Sequence, residues 1–381
     1  LAFRAQTLFV SPDFNASFEA MSLSGALRLA HDKPLYPALS REHSWIYPYQ
    51  PLHAVFSSWW ASHFSTLSTQ VLAVRAQSLL FFILLLVVWV GWLRELGLKS
   101  VWLGVLLALP RFADYQTVAR NDVLQLFFEG SAIWFSARWI QQGKAFQLML
   151  VILCSLLAFF TRQIVPPALV ALVGFQLLNR RWRAFCVTGG IWLTTALIAT
   201  AWLQWHTGNY IEHVYLKPAL GFKWPLDRSL GLFLLTYLGF FSLSIWGYHR
   251  APKGALWQWA KIFALSSLGI GAFGFLRQWS DTNFFLESLV ALSPFCALAL
   301  AEGFNRRAVR GLLHLQLFFC AVLYGAKTLH FRSTPKEDFA HVAQVLRTQY
   351  PEGAHVTGPW NGSLIIHLGE WAKNGPDVAS F

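Results

Sequence analysis

Residues 78–93 read SLLFFILLLVVWVGWL, without one charged side chain, and residues 94–99 read RELGLK. With its flanks, the apolar stretch approaches the roughly 20 residues that an α-helix needs to cross a hydrocarbon core about 30 Å thick. Lys and Arg in short loops beside such spans mark the cytoplasmic side of a membrane. The two stretches together predict a transmembrane helix whose carboxyl end faces the cytoplasm.

The same pairing of apolar stretch and basic loop recurs along the chain. Four further short loops carry two or more Lys or Arg, at residues 138–144, 180–183, 250–253 and 306–310. Two apolar segments and a less basic connection separate successive basic loops, so all five loops are expected on the cytoplasmic side. The weakest connection is 206–228, a long loop with Lys217, Lys223 and Arg228 spread among Glu212 and Asp227. The predicted spans are 70–93, 99–110, 120–137, 145–160, 164–179, 184–205, 229–248, 257–275, 284–303 and 311–329, after a first span that ends near Val10.

The composition agrees with a membrane protein. Of 381 residues, 55% are hydrophobic and 13% are charged, against about 25% charged residues in soluble domains. The net charge of +12 would suggest nucleic acid in a soluble protein, but here many basic residues lie in short loops beside apolar spans. The four cysteines lie inside apolar runs and imply no disulfide framework. The chain begins at Leu1 inside what reads as the end of an apolar span, without a cleavable signal, so a fragment is expected.

The sequence therefore predicts an all-α polytopic membrane protein of about eleven transmembrane helices in residues 1–329, with a long external loop at 11–69. Within that loop, Pro51–Thr66 is apolar. If it crossed the membrane, the orientation of residues 70–93 would reverse, so we interpret it as an amphipathic interfacial helix, with a short true span as the alternative. Residues 330–381 are expected to form a small external α/β tail, with a helix at Asp338–Tyr350 followed by two short strands.

Polar residues concentrate in the connections opposite the basic loops. The first external loop carries Asp13 and Glu19, and Glu19 begins a helical pattern that ends at His31–Pro34. A carboxylate held near apolar residues at a membrane surface is a candidate base. The simpler interpretation is that these carboxylates are solvated charges of a loop. The other candidates are Arg75, Arg111, Asp114, Arg120, Asn121, Asp122, Arg162, Arg277, Asn283 and Glu287.

Each of these groups has a purely structural alternative. Asp122 follows Arg120 at a helix start, where a carboxylate is favoured by the helix dipole whether or not it has a further role. Arg162 offers a planar donor fork suited to phosphate, or it extends along the membrane to the interface. Glu287 would enter a span from outside, where an ionisable group is a functional candidate. Their convergence on one face indicates a site for the phosphate head group of a lipid.

The order of these motifs resembles the GT-C superfamily of polytopic glycosyltransferases, including the protein O-mannosyltransferase and lipid A aminoarabinose transferase families. The matching residues are Asp13, Phe18–Glu19, Leu35–Tyr36, Tyr47–Pro51 with Tyr49 inside it, Ala73–Arg75, Ala119–Asp122, Thr161–Gln163 and Asn283–Glu287. By position, Glu19 matches the family base best and Asp13 is second. Many members have two adjacent acids where this chain has Phe18–Glu19, so the choice between the two stays open.

The resemblance implies a GT-C-like fold and an inverting transfer of a sugar from a polyprenyl-phosphate donor. Glu19 or Asp13 would be the catalytic base with Asp122 as a further acid, while Arg162 would contact the donor phosphate. The implied substrate-binding residues also include Arg75, Arg120, Arg277, Asn283, Glu287 and Tyr49. No glycine-rich nucleotide loop is present, which favours a lipid-linked donor over a nucleotide sugar.

The expected partners are therefore a polyprenyl-phosphate sugar, membrane lipid and a glycan, lipid or protein acceptor, with no nucleic acid. No cofactor is required by the pattern; a divalent metal is a further candidate because external carboxylates can bind one, but no compact set of ligands is visible. The expected location is a bacterial inner membrane with the site on its external face. A transporter or lipid flippase is the alternative function, although such proteins place charges near the bilayer midplane within repeated halves. A non-catalytic scaffold is a third.

Overall fold

The computed structural model describes residues 16–39, 47–99, 120–217, 228–276, 282–303 and 306–333, together with 344–345 and 348–349. Within these ranges the secondary structure is helical, without a strand. The α-helices in chain order are α1 (Ala16–Ala30), α2 (Pro51–Ala61), α3 (Leu67–Glu95), α4 (Asn121–Gln142), α5 (Ala145–Thr161), α6 (Pro167–Leu178), α7 (Trp182–Thr207), α8 (Arg228–Thr236), α9 (Leu238–Arg250), α10 (Ala255–Phe275), α11 (Leu286–Gly303) and α12 (Arg307–Ser333). A π-turn follows α7 at Glu212–Leu216, and a 3₁₀ turn at Thr282–Phe285 leads into α11.

Three of these helical stretches are long and apolar enough to cross a membrane alone, namely Thr69–Glu95, Trp182–Thr207 and Asn283–Gly303. A fourth is added if α8 and α9 are counted as one bent span, and α5 and α6 are shorter apolar helices. The described part of the chain therefore contains a polytopic helical domain. The full set of about eleven spans stays a prediction, since the spans at 99–110 and before residue 11 lie outside the described residues.

The predicted span at 229–248 is not one helix. It is divided at Tyr237 into α8 and α9, whose axes differ by 66°. At the break, the Phe240 N–H donates to Oε1 of Gln316 (3.0 Å), and Nε2 of Gln316 donates to the Thr236 carbonyl (3.0 Å). In a continuous helix, these two backbone groups would bond to each other. The Gln316 amide thus stands between them and satisfies both, which allows the bend inside an apolar bundle.

The segment Pro51–Thr66 contains a short helix, α2, which ends at Ala61. The 11 residues of α2 extend about 16 Å, which is too short to cross a core about 30 Å thick. The helix packs instead at the start of α3, where Ala61 and Leu23 of α1 form an apolar cluster with Val71 and Val74. This geometry disfavours the alternative of a short true span and agrees with a helix that stays at one surface.

The basic loops lie at one end of the bundle. Glu95 at the end of α3 pairs with Arg138 near the end of α4 (3.9 Å), so these two helices run in the same direction. Arg181, before α7, lies over the Trp139 ring, and Arg306, before α12, lies over the Trp246 ring of α9. Trp92 of α3 packs against Trp259, which is in the second turn of α10 and hence close to loop 250–253. All five basic loops therefore meet at one end, as the charge pattern predicts.

The tail lies mostly outside the described residues. Residues 344–345 and 348–349 are helical, inside the helix expected at Asp338–Tyr350. The two strands expected after it, and hence the α/β character of the tail, stay a prediction.

Candidate functional site

The opposite end of the bundle carries a buried polar cluster built around Asp122. This residue lies in the first turn of α4 and is fully buried. Its Oδ2 is 3.0 Å from Nε of Arg120, and its Oδ1 is 3.1 Å from Nη1 of Arg162. Asn283 donates from Nδ2 to the same Oδ1 at 3.1 Å. We call Arg120, Asp122, Arg162, Asn283 and Glu287 the Asp122 cluster; the five residues come from three separated parts of the chain.

Arg162 is the centre of positive charge in this cluster. It follows the last residue of α5, and its side chain is 6% exposed. Nη1 of Arg162 lies 3.8 Å from Oε1 of Glu287, in addition to its contact with Asp122. Its guanidinium carbon is 4.3 Å from the centre of the Phe284 ring. A guanidinium held by two carboxylates and an aromatic face has a fixed direction, which is a requirement for recognising an anion.

The backbone around Arg162 is held by side chains of α4. The Asn121 amide donates to the Thr161 carbonyl at 3.4 Å. Pro166 and Pro167 begin α6, where they cost no helical hydrogen bond. The next amide, Ala168 N–H, donates to Oε1 of the buried Glu129 at 2.6 Å. Glu129 thereby caps α6 from a neighbouring helix and fixes the connection that carries Arg162.

Two glycines of α10 make room for the turn that holds Phe284. A Cβ at Gly274 would collide with the Phe284 ring, and one at Gly271 would lie 2.7 Å from the Phe284 carbonyl oxygen. The absence of side chains at these positions lets the 3₁₀ turn Thr282–Phe285 approach α10 closely. That approach places Asn283 and Phe284 against Arg162 and Asp122.

A tyrosine-rich segment, residues 47–50, lies beside the cluster. Gln163, the neighbour of Arg162, donates to the Pro48 carbonyl at 2.6 Å. Tyr36 donates its hydroxyl proton to the Tyr49 carbonyl at 2.9 Å, and the Tyr49 side chain is half-buried. Residues after α7 also hold this segment, since the Tyr210 hydroxyl donates to Oε1 of Gln50. Tyr49, a predicted substrate-binding residue, is thus placed next to the segment that carries Arg162.

His53 on α2 is a further buried polar group near the cluster. Its side chain contacts Ser57 Oγ at 3.4 Å, and its Nδ1 has no hydrogen-bond partner among the described residues. Burial lowers the pKa of His53 from 6.5 to about 4, although the negative charge of Asp122 acts in the opposite direction. His53 is therefore neutral at physiological pH.

The other predicted site residues are divided between described and undescribed parts of the chain. Glu19 lies in the first turns of α1, of which the structure describes the backbone at this position. Arg75 is buried in the third turn of α3. Asp13, Arg111, Asp114 and Arg277 lie outside the described residues. The structure thus brings together Arg120, Asp122, Arg162, Asn283 and Glu287, while the position of the two candidate bases relative to them stays a prediction.

Several residues of this region were missed from the sequence. Glu129 is an ionisable group inside an apolar span, a signal that alone makes it a candidate. His53 and Gln163 lie within segments that were singled out, but their side chains were not. No sequence signal points to His213, which contacts the tyrosine segment from a position 166 residues away from Tyr47.

Metal binding has no visible set of ligands here. Among the residues that the structure describes, no three His, Cys, Asp or Glu side chains lie close enough together to hold a metal ion.

Comparison with known proteins identifies the fold. No protein-family model matches the chain, and no curated protein matches it by sequence. The crystal structure of ArnT from Cupriavidus metallidurans in the apo state matches 94% of the chain with a TM-score of 0.62 and 15% identity. The structure of the same protein bound to undecaprenyl phosphate matches 99% of the chain with a TM-score of 0.63 and 16% identity. The chain spans 64% and 76% of the lengths of these two structures. Over almost its whole length, this chain therefore has the same fold as ArnT.

Proposed function

We propose that the chain is an integral membrane glycosyltransferase that moves a sugar from a polyprenyl-phosphate-linked donor to an acceptor hydroxyl. The observation that carries this proposal is the buried Arg162 guanidinium at the end of the bundle opposite the basic loops. Support comes from the fold, because one ArnT structure is described as bound to undecaprenyl phosphate. Because basic loops mark the cytoplasmic side, the site at the opposite end would face the external side of a bacterial inner membrane.

Arg162 is suited to bind the donor phosphate. Both of its carboxylate contacts use Nη1, so the Nε–H and the Nη2 protons are directed elsewhere and can donate to phosphate oxygens. In a buried site, the attraction between a guanidinium group and an anion is stronger than in water. Arg120, held by Asp122, adds a second positive charge beside it. Arg75 and Arg277 are further candidates for the same phosphate.

Asp122 is better suited to position these arginines than to accept a proton. Its two oxygens are engaged by two guanidinium groups and by the Asn283 amide. A proton on Asp122 would weaken all three contacts at once. We therefore assign the base to the first external loop, with Glu19 as the first candidate and Asp13 as the second.

The proposed reaction is a displacement at the anomeric carbon. The Glu19 carboxylate takes the proton of the acceptor hydroxyl as that oxygen forms a bond to the anomeric carbon. The bond between this carbon and the phosphate oxygen breaks, and the polyprenyl phosphate leaves with the electron pair. Attack from the side opposite the leaving group inverts the anomeric configuration. Arg162 stabilises the charge that develops on the departing phosphate.

A lipid flippase is the alternative that one structural feature favours. Transporters often use broken helices, and α8 and α9 are such a pair. The break is, however, filled by Gln316, and the charged cluster lies at the helix ends instead of beside the break. A flippase would move the donor lipid across the bilayer without breaking its bond to the sugar.

The donor class is tested by incubating the purified chain in lipid vesicles with polyprenyl-phosphate-linked hexoses and pentoses and, in parallel, with nucleotide sugars. The acceptor is unidentified, so a membrane extract is added as its source. The readout is the release of polyprenyl phosphate from the sugar-linked donor when the extract is present. Release from a lipid-linked donor, without reaction of nucleotide sugars, is the expected result. Translocation of the intact donor without release would support the flippase instead. Release that persists in the presence of a chelator would remove the divalent metal from the reaction.

The base is tested by Glu19→Gln and Asp13→Asn, singly and together, with Asp32→Asn as a matched control on an exposed acid of the same loop. We expect Glu19→Gln to abolish release and the control to retain it. Full activity of the double variant would remove both carboxylates from the mechanism.

A further inference from the structure

Among the residues that the structure describes, two hydrogen-bond contacts of His213 together indicate its protonation state. The Tyr47 backbone N–H donates to Nδ1 of His213 at 3.1 Å, so this nitrogen carries a lone pair. Nε2 of His213 lies 2.8 Å from the Pro37 carbonyl oxygen, which can only accept, so this nitrogen carries the proton. The arrangement requires a neutral imidazole with its proton on Nε2.

The two partners of His213, Pro37 and Tyr47, both lie within the predicted first external loop, 11–69. His213 itself belongs to the π-turn after α7 and is fully buried. The same turn region also holds the segment at Gln50, whose amide donates to the Tyr215 hydroxyl at 2.9 Å. Residues after α7 therefore hold Pro37 and the tyrosine-rich segment 47–50 at the end of the bundle.

The tyrosine-rich segment continues directly to the proposed phosphate site. Pro48 follows Tyr47, and its carbonyl accepts the hydrogen bond from Gln163. Gln163 is adjacent to Arg162, which pairs with Asp122. A change at His213 is thus separated from Arg162 by two hydrogen bonds and two short stretches of backbone.

Charged groups surround His213 on more than one side. Burial lowers the pKa of His213 below its usual value of 6.5, and the positive charges of Arg28 on α1 and Lys217 add to this effect. The contact with the Pro37 carbonyl and the negative charge of Glu212 oppose it. The Tyr36 ring packs edge-on against the imidazole, with ring centres 5.6 Å apart.

We propose that His213 is a positioning residue whose neutral form helps to hold residues 47–50 beside the Asp122 cluster, and that its protonation breaks the contact with the Tyr47 amide and loosens this segment. A proton on Nδ1 would face the Tyr47 N–H, so two donors would meet where a hydrogen bond now exists. The contribution of this contact to stability is therefore complete above the ordinary histidine pKa and is lost as the pH falls through the lower pKa of the folded state.

This loosening is tested by hydrogen exchange of the full chain in lipid nanodiscs between about pH 5 and about pH 8, the range in which histidine titrates. After correction for intrinsic exchange rates, we expect the Tyr47 amide to exchange at least about fivefold faster relative to an unstructured amide at the acidic end, since one hydrogen bond is lost. Unchanged protection of wild-type Tyr47 over this range would overturn the proposal without any variant.

Two substitutions separate the contacts of the two ring nitrogens. In His213→Asn, the amide oxygen takes the place of Nδ1 and does not titrate, so Tyr47 protection should no longer depend on pH. In His213→Gln, the amide nitrogen takes the place of Nε2, so the Tyr47 amide should be less protected at both ends of the range. His206→Asn, at an exposed histidine of α7, is the control and should behave like the wild type. A pH-dependent loss of protection in His213→Asn equal to that of the wild type would contradict the proposal.

A consequence for catalysis rests on the proposed function. If the segment positions the donor site, the KM for the lipid-linked sugar should rise on acidification in the wild type and much less in His213→Asn. Hydrogen exchange does not depend on this activity. If the expected exchange pattern is seen but no donor supports sugar transfer, the proposed function is rejected and the role of His213 is retained. If sugar transfer is seen but Tyr47 exchange does not depend on pH, the role of His213 is rejected and the proposed function is retained.

Discussion

Asp122 is the residue on which the proposed phosphate site depends most strongly. Its carboxylate is fully buried between Arg120 and Arg162. Removing one member of a buried ion pair leaves an uncompensated charge, at a cost of about 3–5 kcal/mol. We therefore expect Asp122→Ala to lower the thermal unfolding midpoint of the purified chain clearly. Asp122→Asn keeps the shape but loses the charge, and its effect should be smaller.

The matched control is Asp32→Asn, because Asp32 is exposed. Its backbone φ of 56° also favours asparagine about as well as aspartate. An Asp122→Ala variant that unfolds at the same temperature as this control would show that the ion pairs contribute nothing to the fold.

For single residues, the sequence predicted the charged members of the Asp122 cluster but not the residues that hold the neighbouring backbone in place. Asp122, Arg162 and Glu287 stand out because each is an ionisable group at the edge of an apolar span. Glu129 is an ionisable group inside such a span and could have been found by a similar criterion. His213 and Gln163 could not, because their roles arise from partners far along the chain, and no local pattern of residue types records such a contact.

At the scale of single elements, α10 is shaped for the turn that carries Phe284. We expect Gly274→Ala to displace the Phe284 ring and, with it, the guanidinium of Arg162 that lies 4.3 Å from the ring centre. A displacement of about 1 Å in a catalytic group can reduce a rate about a hundredfold. The measurement is the rate of polyprenyl phosphate release at saturating donor.

Gly269→Ala on the same helix is the control, since the added methyl group would have no neighbour within 4 Å beyond its own stretch of helix among the described residues. Equal release rates in Gly274→Ala and Gly269→Ala would show that the close contact of Gly274 with Phe284 does not affect catalysis.

The break between α8 and α9 depends on one glutamine of α12. In Gln316→Leu, the Phe240 N–H and the Thr236 carbonyl lose their partner inside an apolar bundle. An unsatisfied buried group costs about 1–3 kcal/mol, so the thermal unfolding midpoint should fall. Gln258→Leu, at an exposed glutamine of α10, should leave the midpoint unchanged. A fall of equal size in both variants would contradict the role of Gln316.

This break also shows why a helix can be misread from its own residues. Residues 229–248 are apolar, and the break at Tyr237 contains no proline, so the local pattern favours one span. The bend is stabilised by a residue 76 positions away from Phe240. The start of α6 at Pro167, in contrast, can be predicted locally, because two adjacent prolines mark the beginning of a helix.

For the whole molecule, the central structural finding is the separation of the basic loops from the Asp122 cluster. Charge counting along the sequence predicted this separation, and the contacts of Glu95, Arg181 and Arg306 place their loops at one end. Single cysteines at Ser62 and at Lys144, both exposed, test the arrangement in a cysteine-free background. We expect a membrane-impermeant thiol reagent to label Ser62→Cys in intact cells and Lys144→Cys only after lysis. Labelling of both in intact cells would reject the orientation.

The measurement that tests the central claim most directly is the affinity of the purified chain for a polyprenyl monophosphate, without sugar or acceptor. The comparison is between the wild type, Arg162→Gln in the cluster and Arg307→Gln, an exposed arginine at the basic end. Charge-assisted contacts to a phosphate are worth about 1.5–3 kcal/mol, so Arg162→Gln should bind at least about tenfold more weakly. Arg307→Gln should bind like the wild type. Equal affinity of all three proteins, or a loss confined to Arg307→Gln, would contradict a phosphate site at the Asp122 cluster.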